Sequence, residues 1–177
     1  MRILIIGAVA AGTSAAAKAR RNSESAEIVV YEKDSFISYS GCGMPYFLGD
    51  EVKDIASLTP RNPLFFKNKY NVDIKTMHEV VSINAGNKTV CVKNLQSNEL
   101  FEDSYDFLII ATGAKSAVLP IKGIDSEDVF SLRNINDMIK IKKWINDKKV
   151  EEAVIIGTGF IGLEVYENLS RLGIKVS

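Results

Sequence analysis

Two glycine-rich turns, each preceded by a short apolar run, restrict most strongly what this chain can fold into. Residues 2–6 (Arg-Ile-Leu-Ile-Ile) precede Gly7-Ala8-Val9-Ala10-Ala11-Gly12, and residues 153–156 (Ala-Val-Ile-Ile) precede Gly157-Thr158-Gly159-Phe160-Ile161-Gly162. A buried parallel strand, a tight turn of small residues and a helix account for this order. We therefore expect two strand–turn–helix units in one chain.

The first turn stands in a longer pattern. A helix of small residues runs to about Arg21, a strand covers 28–31, and an acid, Glu32, follows. This is the dinucleotide fingerprint, in which the helix N-terminus holds a pyrophosphate and the acid accepts a hydrogen bond from a ribose hydroxyl. The pattern departs from G-x-G-x-x-G because Val9 replaces the middle glycine. Tight packing of a strand against a helix is the alternative, and the strand–turn–helix–strand–acid order disfavours it.

The second turn keeps the full G-x-G-x-x-G pattern from Gly157 to Gly162. Two such turns imply two nucleotides, and the simplest assignment is a flavin on the first and a nicotinamide cofactor on the second. The residue equivalent to Glu32 would fall after Ser177, so NADH and NADPH are not distinguished. We expect the strand at 153–156 and the following helix to have an unpaired edge and an exposed apolar face.

The segment Ser38–Asp50 contains one of the two cysteines. Cys42 lies between Gly41 and Gly43, and Pro45 suits the first turn of a helix. A thiol just before a helix lies at the positive end of the helix dipole, which favours the thiolate. The segment alone fits a Gly/Pro turn with a buried cysteine equally well. Beside two dinucleotide turns, we interpret Cys42 as a redox thiol.

Composition excludes several classes of protein. The 22 basic and 22 acidic residues cancel, which gives no electrostatic argument for nucleic acid or a membrane surface. Two cysteines exclude a disulfide scaffold and fit a reducing cytoplasm. Cys91, in an alternating strand, and His78, at a strand edge, are interpreted as structural residues. The lysines of a helix predicted at 133–148 are interpreted as a solvated face.

The remaining pattern predicts a short helix within 55–70 and strands at 72–74, 79–83, 87–92 and 108–110. The fold class is therefore α/β: a Rossmann-like three-layer FAD/NAD(P)-binding fold with a β-meander and an incomplete second dinucleotide-binding unit. The predicted domains are an FAD-binding domain at 1–114, without its C-terminal segment, and the start of an NAD(P)-binding domain at 115–177.

These motifs carry a family resemblance. It rests on Gly7–Arg21, Tyr31-Glu32-Lys33, Ser38-x-x-x-Cys42-Gly43-x-Pro45-Tyr46, His78-Glu79-Val80, Ala111-Thr112-Gly113 and Gly157–Glu164. The chain resembles the coenzyme A-disulfide reductase branch of the FAD-dependent pyridine nucleotide-disulfide oxidoreductases over its whole length. The resemblance implies that Cys42 forms a mixed disulfide with a thiol substrate, with Ser38 beside it.

The resemblance also implies binding residues. Those for FAD are Gly7, Ala8, Val9, Ala10, Ala11, Gly12, Glu32, Lys33, the backbone of Val80 and Val81, Thr112, Gly113 and Arg133. Those for NAD(P)H are Gly157, Gly159, Phe160, Ile161, Gly162 and Glu164. Those facing the coenzyme A channel are Ser14, Lys18 and Arg21. The basic residues Lys18, Arg20 and Arg21 lie at the end of the first predicted helix. Their charges suit contacts with phosphate groups, and the alternative role is to cap the negative end of the helix dipole.

Alternatives within the family stay open. One alternative is a CoA-persulfide or polysulfide reductase, since these enzymes share the Cys-Gly-x-Pro-Tyr pattern. A second is an NADH oxidase of the same family, but related NADH oxidases and peroxidases have a histidine in the first glycine loop. This chain has Val9-Ala10 there, which speaks against oxygen or peroxide as the acceptor. A non-catalytic nucleotide-binding remnant is the third alternative. Because members of the family are longer, we expect an incomplete chain that retains FAD weakly and does not turn over by itself. The expected full-length form is a cytoplasmic homodimer that acts on coenzyme A disulfide or persulfide and contacts neither nucleic acid nor membrane.

Overall fold

The computed structural model describes residues 1–177, which form two compact units. The first unit comprises residues 1–39 and 59–113, and the second comprises residues 40–58 and 114–177. Residues 40–58, which include Cys42, thus group with the second unit rather than with the residues around them in sequence. The predicted domain boundary at 114 stays a prediction.

In chain order the elements are β1 (Arg2–Ile6), α1 (Ala11–Asn22), β2 (Glu27–Tyr31), α2 (Met44–Leu48), α3 (Ile55–Leu58), α4 (Pro63–Tyr70), β3 (Asp73–Lys75), β4 (His78–Asn84), β5 (Thr89–Asn94), β6 (Leu100–Ser104), β7 (Phe107–Ile110), α5 (Ile135–Lys148), β8 (Glu152–Ala153), α6 (Phe160–Arg171) and β9 (Lys175–Val176). A short 3₁₀ turn, Gly41–Gly43, precedes α2. No helix combines the length and the apolar character that crossing a membrane requires.

The first unit is built on a four-stranded parallel sheet in the order β3-β2-β1-β7. Because side chains alternate along a strand, Ile3 and Ile5 lie on one face, and Leu4 lies on the other. Ile3 and Ile5 pack in a core with Ala16 of α1 and Phe66 of α4. This burial on both faces explains why β1 reads as a continuous apolar run.

A three-stranded antiparallel meander, in the order β4-β5-β6, covers the other face of the parallel sheet. Leu4 and Tyr31 pack there against Val90 and Val92 of β5. The helices, the parallel sheet and the meander form three layers, which confirms the predicted α/β fold class. The sequence prediction missed β6, and it placed one short helix at 55–70 where α3 and α4 form.

The second unit contains a two-stranded parallel sheet, β8-β9, with α5 and α6. Helix α5 begins at Ile135, as Asn134 and Asp137 form a capping box. The strand predicted at 153–156 is shorter, although the Ile155 N–H still donates to the Ser177 carbonyl at 2.9 Å. Val154 and Phe160 are 75% and 89% exposed. The open strand edge and the exposed apolar face are therefore confirmed.

Candidate functional site

The first glycine turn has no space for a side chain at Gly7 or Gly12. Gly7 has φ +98°, and its N–H donates to the Tyr31 carbonyl at 2.8 Å. A Cβ at Gly12 would overlap the carbonyl oxygen of Gly7, so only glycine allows this packing. Helix α1 begins at Ala11, and no side chain caps its N-terminus. Its first N–H groups are therefore available to an anion.

Glu32 connects the end of β2 to this turn. Its side chain is buried, and its carboxylate accepts hydrogen bonds from the Ala8 N–H at 2.7 Å and the Asp34 N–H at 2.9 Å. A carboxylate has about four acceptor positions, so capacity remains for a ribose hydroxyl. The parallel register, in which Ile6 pairs with Tyr31, brings the acid to the turn.

The end of β7 completes the same edge of the sheet. The Ala111 N–H donates to the Ile6 carbonyl at 2.8 Å, and a Cβ at Gly7 would overlap the Ala111 carbonyl oxygen. Thr112 and Gly113 follow, both exposed, and Gly113 has φ +66°. The structure thus brings together three sequence-predicted regions at the carboxyl edge of the parallel strands, where ligands bind in such sheets.

Other predicted residues lie around this edge. The Ser38 N–H donates to the Ala8 carbonyl at 2.9 Å, and Ser38 has a left-handed φ of +47°. Val80 pairs with Val92, but a β-bulge skips Val81, which leaves the Val81 backbone outside the ladder. Lys33 is exposed directly after Glu32.

The features of this edge fit a dinucleotide. A cradle without Cβ atoms accepts the close approach of a pyrophosphate, and the uncapped helix N-terminus complements its charge. A buried acid at the end of β2 suits a ribose. The residues present therefore match the group that the first turn predicts.

The second glycine turn repeats the geometry of the first. Gly157 has φ +111°, and a Cβ at Gly162 would overlap the Gly157 carbonyl oxygen. Gly159 caps α6 without a side-chain hydrogen bond. The turn opens on a cleft of about 1180 Å³ within the second unit, lined largely by apolar side chains. Phe160 and Ile161 are exposed, and Glu164 is half-buried.

Cys42 lies in the 3₁₀ turn that leads into α2, as the Gly-Cys-Gly-Met-Pro pattern predicts. Its thiol is exposed and forms no disulfide. Met44, Pro45 and Leu48 bury one face of α2, which fixes the short helix within the second unit. Cys42 belongs to the second unit and Ser38 to the first, and their predicted proximity stays a prediction.

Sequence reasoning missed the contacts behind α2. Lys142 of α5 was assigned to a solvated face, but its side chain is only 13% exposed and lies 2.8 Å from the Asp50 carboxylate. That assignment is wrong for Lys142, whereas Lys140 and Lys143 are exposed. No local signal distinguishes these lysines, since the partner of Lys142 lies far away in sequence.

The basic residues of α1 divide into two groups. Ser14, Lys18 and Arg21 are exposed and share one face of the helix through their four- and three-residue spacings. Arg20 instead donates to backbone carbonyls, including those of Tyr70 at 2.8 Å and Asn71 at 2.9 Å. Arg20 therefore closes the helix end rather than facing a ligand.

Three more residues, Arg133, His78 and Cys91, lie against other residues of the protein. The guanidinium of Arg133 donates to the Ala114 carbonyl at 3.0 Å within the second unit. His78 opens β4, and its ring lies near Tyr31 and Phe101. Cys91 alternates with the buried Val90 and Val92 on β5. The structural interpretation of Cys91 and His78 agrees with these positions.

Comparison with known proteins gives one family. A family model described as pyridine nucleotide-disulphide oxidoreductase matches residues 1–177. The coenzyme A disulfide reductase of Staphylococcus haemolyticus is 42% identical over 176 residues, which are 99% of this chain and 39% of that protein. The chain thus spans well under half the length of this curated relative.

Two solved structures are similar over nearly the whole chain. Reduced Bacillus anthracis CoADR-RHD has a TM-score of 0.96 and 41% identity, covering 99% of this chain and 32% of that chain. The NAD-dependent persulfide reductase from A. fulgidus has a TM-score of 0.93 and 37% identity, covering 99% and 33%. At this level of likeness, the two proteins share both sequence and fold with this chain.

Proposed function

Because the chain belongs to the pyridine nucleotide-disulphide oxidoreductase family, we propose that it forms part of an FAD-dependent NAD(P)H oxidoreductase that reduces coenzyme A disulfide through Cys42. The family membership confirms the predicted resemblance. The full activity, its substrate and its single-cysteine mechanism are proposals, since the chain spans 39% of its curated relative. The observation that carries them is an exposed cysteine in the 3₁₀ turn directly before α2, in a chain with two dinucleotide turns.

The cofactors of the family are FAD and NAD(P)H. We assign FAD to the turn Gly7–Gly12 with Glu32, Lys33, Thr112 and Gly113, with further contacts from Arg133 and the backbone of Val80 and Val81. NAD(P)H is assigned to the turn Gly157–Gly162 with Glu164. When bound, FAD supplies the passage of electrons from NAD(P)H to a disulfide.

The chemistry of Cys42 begins with a thiolate. Cys42 is exposed in the 3₁₀ turn directly before α2, so a disulfide in solution can reach its sulfur. The thiolate attacks one sulfur of coenzyme A disulfide, which forms a Cys42–S–S–coenzyme A bond and releases one coenzyme A thiolate. Two electrons then break that bond, returning the Cys42 thiolate and a second coenzyme A thiolate.

Substrate phosphates have basic partners on α1. Lys18 and Arg21 are exposed, form no ion pair in the structure and lie with Ser14 on one helical face. Such cations form charge-assisted hydrogen bonds with phosphate. Coenzyme A disulfide and coenzyme A persulfide both carry these phosphates, so the persulfide is the second candidate substrate, favoured by the likeness to a persulfide reductase.

Single-turnover thiol exchange tests the proposal on the 177-residue chain itself. The chain is mixed with coenzyme A disulfide without a reductant, and intact mass spectrometry counts the coenzyme A adducts. We expect one adduct at Cys42, none in Cys42→Ser and one in Cys91→Ser. Cystine, offered at the same concentration, should react more slowly because it has no phosphate to bind Lys18 and Arg21.

Two results would reject the proposal. An adduct at Cys91 at the same rate as at Cys42 would show ordinary thiol exchange without a site. A preference for cystine would exclude coenzyme A compounds as the substrate class.

A further inference from the structure

Three side chains of α5 and α6 converge on the residues directly after α2. The ammonium of Lys142 donates to the Leu48 carbonyl at 2.9 Å and pairs with the Asp50 carboxylate at 2.8 Å. Arg171 pairs with Glu51. Asn168, which is 1% exposed, fills the space where a Cβ at Gly49 would stand, so a larger residue at position 49 would displace it.

From these contacts we infer that Lys142 is a positioning residue for Cys42: it holds the carboxyl end of α2, the helix that begins just after the thiol. This role rests on the proposed function of Cys42.

Helix α2 needs an external support. It has five residues, far below the about 12–15 that an isolated helix needs to be even marginally stable in water. The carbonyls of Pro45, Tyr46 and Phe47 accept from the backbone N–H groups of residues 49–51, which leaves the Leu48 carbonyl for a side-chain donor. The Lys142 ammonium satisfies the Leu48 carbonyl, and its charge complements the negative end of the helix.

Two partners fix the position of the Lys142 ammonium. A largely buried ammonium is costly unless it is paired and hydrogen-bonded, and Lys142 meets both conditions with Asp50 and Leu48. Asp50 has φ +63°, a left-handed conformation that is uncommon outside glycine. The neighbouring Lys143 is exposed and has no such partner.

The effect reaches Cys42 because α2 is little more than one helical turn. Met44, Pro45 and Leu48 bury its inner face, and Lys142 fixes its end. When the end is released, α2 and the 3₁₀ turn that precedes it lose a fixed position, and the Cys42 thiol in that turn moves with them.

The experiment compares Lys142→Met, Lys142→Arg and the matched control Lys143→Met in the 177-residue chain. Hydrogen exchange of residues 44–51 measures the anchoring of α2. The alkylation rates of Cys42 and Cys91 by iodoacetamide, read by peptide mass spectrometry, measure the environment of each thiol. Cys91 lies on β5 and reports on general loosening.

We expect Lys142→Met to raise exchange in residues 44–51 by about tenfold and to change the Cys42 alkylation rate by about threefold or more, with Cys91 unchanged. Lys142→Arg should stay within about twofold of the parent in both, since its guanidinium also donates to a carbonyl and a carboxylate. Lys143→Met should equal the parent.

Three results would overturn the inference. Unchanged exchange in Lys142→Met would show that α2 is held without the lysine. Faster exchange with an unchanged Cys42 rate would show an anchor that does not position the thiol. A rise in Cys91 alkylation would show general destabilisation. The adduct experiment with coenzyme A disulfide in the parent chain tests the proposed function separately, since it involves no change at Lys142.

Discussion

The carboxylate of Glu32 accepts a hydrogen bond from the backbone N–H of Ala8 at 2.7 Å, which joins the end of β2 to the first glycine turn. The other carboxylate oxygen accepts from the Asp34 N–H at 2.9 Å. One side chain therefore fixes the turn on which FAD is proposed to bind, and it does so from a buried position.

Glu32→Gln should weaken both stability and FAD binding. A glutamine has one acceptor oxygen, so its amide group would face one of the two N–H donors. We expect a loss of about 1–3 kcal/mol in the free energy of unfolding and about tenfold weaker FAD binding. Urea denaturation and flavin fluorescence titration measure the two effects. The control is Glu24→Gln, an exposed acid whose side chain has no partner; equal losses in both variants would contradict the assigned role.

Gly12→Ala should damage the first turn far more than an alanine in an open turn would. The new Cβ would overlap the Gly7 carbonyl oxygen, whereas the nearest atom to a Cβ at Gly86 is 3.6 Å away. We expect Gly12→Ala to lose about 2 kcal/mol of stability and all measurable FAD binding, and Gly86→Ala to retain both. Retained FAD binding in Gly12→Ala would show that the turn does not hold the pyrophosphate.

The stability of the first unit should depend on Asp103 in a pH-dependent way. Burial raises the pKa of Asp103, but hydrogen bonds from Arg2 at 2.8 Å and Tyr31 at 2.6 Å outweigh it and hold the pKa below its ordinary value. A lowered pKa means that the carboxylate stabilises the fold above the unfolded-state value. That contribution is lost as the pH falls through the folded-state value.

Asp103→Asn should therefore be about 2 kcal/mol less stable than the parent near pH 7. The difference should shrink as the pH falls below about 4, where the unfolded carboxyl takes up its proton. Urea denaturation across this range measures it, with Glu99→Gln as an exposed control. A difference that grows with acidity would contradict the pKa direction.

The paired variant Lys18→Ala/Arg21→Ala should slow adduct formation with coenzyme A disulfide and leave the reaction with iodoacetamide unchanged. Two phosphate contacts at a surface contribute modestly, so we expect about a tenfold loss that salt reduces in the parent. Lys115→Ala/Lys122→Ala removes the same charge from two exposed lysines elsewhere. If adduct formation slows as much in that control, the net charge of the protein, rather than the face of α1 that carries Lys18 and Arg21, attracts the substrate.

Local patterns predicted much of the fold and of the dinucleotide edge. Gly12 must be glycine because a Cβ there would meet the Gly7 carbonyl within the same strand–turn–helix unit, so this constraint is visible in the sequence, whereas the contact of Gly7 with the distant Ala111 is not. Strand β6 was missed because only one of its two half-buried positions, Phe101, is apolar, while the other is Asp103. The side chain faces Arg2 and Tyr31 rather than an apolar core, and the apolar alternation therefore fails.

Contacts between distant residues were not predictable in this way. Lys142 and Asp50 are far apart in sequence, and neither position is unusual in its own segment. Similarly, Arg20 resembles Lys18 and Arg21 until the fold brings the carbonyls of Tyr70 and Asn71 to its guanidinium. The sequence around each residue does not indicate which distant residue it will contact.

The central claim, that Cys42 carries the electrons to the disulfide, is most directly tested in a full-length context. Residues 1–177 can replace the matching part of the coenzyme A disulfide reductase of Staphylococcus haemolyticus, which is 42% identical there. Flavin reduction by NADH or NADPH is followed by absorbance, and coenzyme A disulfide reduction by the release of thiol. Flavin reduction serves as the control for folding and cofactor binding.

We predict that Cys42→Ser in this chimaera keeps flavin reduction and loses disulfide turnover by about a thousandfold or more, whereas Cys91→Ser keeps both. Turnover that survives Cys42→Ser, or that falls equally in Cys91→Ser, would contradict the role assigned to Cys42.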